Sequence, residues 1–74
     1  MGRLPVLSGR EACAILVQHG FTEVRRRGSH VVMQRKADDT TTTVPVPDHD
    51  EIRVGTLQAI IRQSGLPRSA FEAE

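Results

Sequence analysis

Apolar positions along the first third of the chain recur at helical intervals: Ala12, Ile15 and Leu16, together with His19, fall on one face. The stretch Ser8-Gly9-Arg10-Glu11 ahead of them has the form of a capping box, in which Ser8 accepts from a backbone N–H while Glu11 reaches back. Gly20 suits a left-handed helix end. A helix is therefore predicted over 8–19. From Phe21 the period shortens. Residues 22–27 and 30–36 predict two strands, separated by Gly28-Ser29, and a two-residue loop with Gly first suits a type II′ hairpin turn. After a polar turn at 37–39, the β-branched run 40–46 predicts a third strand with Val44 and Val46 on one face. Pro45 and Pro47 lack an N–H for a ladder, which places this strand at an edge or exit. A polar stretch, 48–53, leads to a second helix predicted at 54–64, with Leu57, Ile60 and Ile61 inward and Gly65 as its stop. Pro67 suits the first turn of a short terminal helix, and Phe71 is expected to fold back onto the core. The sum is an α+β chain of order α-β-β-β-α. Its three-stranded antiparallel sheet carries both helices on one face and leaves the other open. One domain spanning 1–74 is expected, and no internal repeat is present.

Composition narrows the function. A chain of 74 residues buries only roughly 60% of its unfolded surface, so chemistry belongs on the surface or at an interface rather than in a deep cofactor cavity. Phe21 and Phe71 are the only aromatics, too few for a protein that reads bases by stacking. The single cysteine, Cys13, allows no internal disulfide, and no long apolar run predicts a membrane span or signal peptide. A cytoplasmic protein is the expectation. Net charge is +1, yet residues 1–36 carry seven basic and two acidic residues (+5), while 37–74 carry three and seven (−4). A basic half attracts phosphate backbones even when the whole is near neutral; the plainer reading is a solvated mixed surface.

Two motifs carry candidate chemistry. In Gly28-Ser29-His30 the turn presents a histidine at a strand start, and Arg25-Arg26-Arg27 runs into the same turn. Histidine exchanges a proton near neutral pH, and RNA supplies its own nucleophile, the 2′-hydroxyl. Deprotonating that group breaks the strand without a metal or a protein nucleophile, and arginines stabilise the charge growing on phosphate oxygens. A lone strand histidine is nevertheless more often a hydrogen-bonding surface residue. Alternation prevents all three arginines from facing one way, so either Arg25 with Arg27, or Arg26, is expected at the phosphates; Arg35 and Lys36 are weaker candidates. The second motif, Val46-Pro47-Asp48-His49, offers His49 as an accessory acid/base, a phosphate donor, or, more simply, a structural residue bonding Asp50 or Glu51. No metal site is expected, because 48–51 match no recurring ligand spacing. Cys13 has no histidine beside it and is not expected to be a nucleophile.

These motifs, in their order, resemble the HicA-type toxins of bacterial toxin–antitoxin pairs. The resemblance rests on Leu16-Val17-Gln18-His19-Gly20-Phe21, Gly28-Ser29-His30, Val46-Pro47-Asp48-His49, and Gly55-Thr56-Leu57 through Gln63-Ser64-Gly65-Leu66. It covers about residues 8–71. It implies a fold like the double-stranded-RNA-binding domain, metal-independent cleavage of mRNA without a cofactor, and neutralisation by a HicB-type antitoxin, the chain being a monomer when free and part of a hetero-oligomer when bound. The family's catalytic histidine falls on His30, with Gly28 and Ser29 as the turn presenting it and Arg25, Arg26 and Arg27 as candidate RNA contacts; no catalytic role carries over to His49. Two departures stand out. Met33 occupies a place where an aromatic is often found, which bears on packing or RNA contact. Asp48, Asp50 and Glu51 are more acidic than a phosphate-facing loop should be, which sets that loop beside the groove or against the partner. The rival readings are a non-catalytic double-stranded-RNA-binding module, which would want more cations than Arg53 and Arg62 on its second helix, and a pure protein-docking subunit.

Overall fold

The computed structural model describes residues 3–72. Its elements are α1 (Gly9–Gln18), β1 (Thr22–Arg27), β2 (His30–Ala37), β3 (Thr40–Pro47), α2 (Val54–Ser64) and a short terminal 3-10 turn (Arg68–Phe71). This is the expected α-β-β-β-α order, with the three strands antiparallel in the order β1-β2-β3. The first helix is one residue shorter at each end than the periodicity suggests, because Ser8 and His19 are its caps. The capping box forms in both directions: Glu11 N–H donates to Ser8 Oγ at 3.0 Å, and Ser8 N–H to Glu11 Oε1 at 2.9 Å. His19 thereby leaves the apolar face and is exposed. Pro67 likewise precedes the terminal turn as its cap instead of entering it.

At the first hairpin Gly28 has φ +58° while Ser29 stays at negative φ, the backbone pattern of a type II′ turn. Across the sheet, cross-strand partners share a face, so the register sorts the side chains. One face carries Val31 and Met33 of β2 beside Val46 and Val44 of β3. These pack with Ala12 and Leu16 of α1 and Leu57 and Ile60 of α2, and Leu7, Phe21, Ile52 and Phe71 close the cluster. Met33 is fully buried there, so its departure from an aromatic is a matter of core packing and not of RNA contact. The other face carries no helix. Val32 is only 6% exposed on it, flanked by its cross-strand neighbours Arg25 and Pro45. β3 is an edge strand, as its prolines require, and β1 forms the opposite edge. Ser64, buried at the end of α2, donates to the Ile61 carbonyl at 2.7 Å and accepts from Leu66 N–H at 3.1 Å. That explains the Ser-Gly-Leu sequence as a fixed chain reversal, with Gly65 at φ +73°.

One close approach has no sequence signature. Gly9, read only as part of the cap, donates its N–H to the His49 carbonyl at 2.9 Å, and a Cβ there would stand 2.1 Å from the Pro47 carbonyl oxygen. Alanine normally gains about 1 kcal/mol over glycine in a helix. Here Gly9→Ala is expected to lose about 1–3 kcal/mol instead, because backbone must shift to admit the methyl. Urea denaturation reads the sign directly: a stabilised variant would show that the contact is not tight.

Candidate functional site

His30 is the first residue of β2, set immediately after the II′ turn and paired with Arg27 on one side and Pro47 on the other. Its ring is exposed. The next pairs on the same face are Arg25 with Val32 and Val32 with Pro45, so Arg25 and Arg27 accompany His30 on the open face. Arg26 pairs with Val31 and belongs to the helix-covered side. There its guanidinium donates to Asp48 Oδ2 at 2.6 Å. That hydrogen bond holds the Asp48 carboxyl below its usual range and raises Arg26. Both groups are solvent-exposed, so the pair is screened and adds little to stability. Arg25 and Arg27 thus share the face of His30, while Arg26 lies on the other face, bonded to Asp48.

The weaker basic candidates separate as well. Arg35 stacks its guanidinium over the Phe21 ring at 5.0 Å and donates to the His19 carbonyl at 3.2 Å, a packing role. Lys36 shares the face of His30 but lies six residues along β2, about 20 Å away at the usual strand rise. His19 donates from Nδ1 to the Ile15 carbonyl at 2.9 Å and is peripheral to the site. Cys13 is half-buried beside the Arg26–Asp48 pair, in a cleft of about 230 Å³ between α1 and β1. Burial above all, with help from Glu23 and Asp48, pushes its thiol up, the opposite of what a thiolate nucleophile needs.

The segment 48–53 is pinned to its surroundings by backbone. Asp48 N–H donates to the Ser29 carbonyl at 2.6 Å, the His49 carbonyl accepts from Gly9 at 2.9 Å, and Ile52 N–H donates to the Leu7 carbonyl at 2.7 Å. The loop with His49 is thus bonded to the turn that presents His30. His30 and His49 line one cleft of about 410 Å³, together with Glu51, Arg53 and Thr56; Pro47 and Ile52 line it too. Arg53 and Thr56 entered no sequence-based site, although the Gly55-Thr56-Leu57 motif was the signal that pointed there. No side chain caps α2, and its first turn contains no acidic residue, which leaves the positive end of that helix open toward the cleft.

Such an arrangement has a definite chemical capacity. It presents two exposed histidines, next to arginines suited to phosphate oxygens, in a recess whose volume lies within the usual range for ligand sites. Among the described residues, no group of three or more His, Cys, Asp or Glu side chains is arranged to hold a metal ion, and no helix is long and apolar enough to cross a membrane. Compared with known protein families, residues 9–66 match the model described as the HicA toxin of bacterial toxin–antitoxin. No curated protein matches the chain.

Proposed function

Since this chain belongs to the HicA toxin family, we propose that it is a metal-independent endoribonuclease that cleaves mRNA in the cytoplasm and is held in check by a HicB-type antitoxin. Membership of a toxin–antitoxin family implies an antitoxin partner; the HicB type, the substrate and the chemistry are the proposal. The observation that carries it is the placement of His30, exposed at the hairpin end, in line with Arg25 and Arg27, and opening onto a cleft. His30 takes the proton from a ribose 2′-hydroxyl and the freed oxygen attacks the adjacent phosphorus. Arg25 and Arg27 hold phosphate oxygens as charge accumulates on them. Gly28 and Ser29 set the turn from which the imidazole projects. No cofactor takes part, and the free toxin acts as a monomer.

The test uses the purified chain and a labelled transcript in excess EDTA. Products with 2′,3′-cyclic phosphate and 5′-hydroxyl ends are expected. Binding without products would replace the enzyme with the non-catalytic RNA-binding module. In the same assay Arg25→Ala and Arg27→Ala are expected to weaken RNA binding and to flatten its salt dependence by about 0.7 in log–log slope per lost phosphate contact on single-stranded RNA. Arg26→Ala, whose guanidinium is already paired, should leave that slope unchanged. An Arg26 effect as large as the others would move the RNA path to the helix-covered side.

A further inference from the structure

Breaking an RNA strand through its 2′-oxygen needs two proton transfers. One takes a proton from the 2′-hydroxyl, and the other gives a proton to the departing 5′-oxygen, which is otherwise a poor leaving group. The ribonuclease reading above, on which this inference rests, fills only the first role. The cleft that holds His30 contains three other ionisable side chains, Glu51, Arg53 and His49. Carboxylates ordinarily carry no proton at neutral pH, and arginine does not release its own. Histidine can hold a proton at that pH and still give it up.

We propose that His49 is the general acid of this site, protonating the 5′-oxygen across the scissile phosphate from His30. Three observations support it. The backbone places the two residues together, because Asp48 N–H bonds the Ser29 carbonyl, joining the residue before His49 to the residue before His30. His49 is exposed and is among the residues that line the His30 cleft, at its border with a second recess formed with Ser8, Arg10 and Asp50. The structural alternative would have that ring bonded to Asp50 or Glu51, but among the described residues the ring makes no such bond. His19, by contrast, shows what a structurally employed histidine looks like in this chain, with its ring tied to the Ile15 carbonyl. The His49 main chain is meanwhile held by Gly9, so the side chain projects from a fixed point.

The step balances. The 2′-hydroxyl proton passes to His30, the 2′-oxygen forms a bond to phosphorus, the phosphorus–5′-oxygen bond breaks, and the proton of His49 passes to that oxygen. The products are a 2′,3′-cyclic phosphate and a 5′-hydroxyl. Exchange with water returns both rings to their starting states.

A substrate whose scissile 5′-oxygen is replaced by sulfur isolates this role, because a thiolate departs without being protonated. His49→Ala is expected to cleave ordinary RNA about 10²- to 10⁴-fold more slowly and to recover to near the wild-type rate on the 5′-thio substrate. His30→Ala stays slow on both. His49→Gln, which keeps a polar side chain but no imidazole, should behave like His49→Ala on both substrates. Equal losses on the two substrates would reduce His49 to a binding or structural residue, and a wild-type rate for His49→Ala on ordinary RNA would remove it altogether. If Glu51→Gln shows the sulfur rescue in its place, the proton comes from Glu51 and the assignment fails. Each of these results leaves the ribonuclease reading intact, whereas a wild-type protein that cleaves neither substrate overturns both.

Discussion

Replacing His30 with alanine is expected to abolish detectable cleavage and growth inhibition while leaving the fold and antitoxin binding intact. Loss of a positioned acid/base group commonly costs about 10²- to 10⁴-fold, and here no other group is assigned to take the 2′-hydroxyl proton. The structural cost is expected to be small. The ring is exposed, and among the described residues it makes no hydrogen bond; surface substitutions of this kind shift stability by about 0.5 kcal/mol or less. The checking measurement is single-turnover cleavage of a defined transcript by wild type and variant, with urea midpoints measured in parallel. A variant with the parental rate would sink the mechanism. A variant that is inactive and also unfolded would show that His30 supports the hairpin, contrary to its exposure.

The largest expected effect on stability is at the other end of the chain. Phe71 is 1% exposed and belongs to the central apolar cluster, although it lies beyond the residues matched to the toxin family. Truncating a buried phenylalanine to alanine costs about 3–5 kcal/mol, against a total stability of about 5–15 kcal/mol for a native domain. Phe71→Ala should therefore be partly unfolded at 37 °C, with a urea midpoint far below wild type. Arg68→Ala is the matched control. It removes only the exposed i,i+4 pair with Glu72, at 2.8 Å, worth about 0.3–0.5 kcal/mol. Equal midpoints for Phe71→Ala and wild type would mean that the terminal turn does not close the core.

The elements were legible in the sequence because each was marked twice, by its period and by its ends. The capping box at Ser8 and Glu11, the glycines at 20, 28 and 65, and the alternation at Val44 and Val46 all had the expected structural effect. The facing of the arginines was not legible. Plain alternation would put Glu23, Arg25 and Arg27 on one side. A register shift between Glu23 and Arg25 breaks that rule: Glu23 pairs with Met33 on the helix-covered face, while Arg25 pairs with Val32 on the open one. Val24, 47% exposed, takes up the extra residue. The bulge thus keeps a carboxylate away from the two cations beside His30, and nothing in the local sequence announces it. The cleft was hidden for a related reason. Arg53 and Thr56 reach it because backbone hydrogen bonds from Asp48 and Ile52, and from Gly9 to His49, fix the path of the loop, and main-chain bonds leave no trace in residue type.

The prolines of β3 also affect how the molecule meets its own kind. An outermost strand with free N–H groups invites a second copy to pair with it and begin an aggregate. At positions 45 and 47 β3 has no hydrogen to offer, and these positions lie at the His30 end of the sheet. A neighbouring chain therefore finds no donor at these two positions, which makes that end of β3 a poor edge for strand addition.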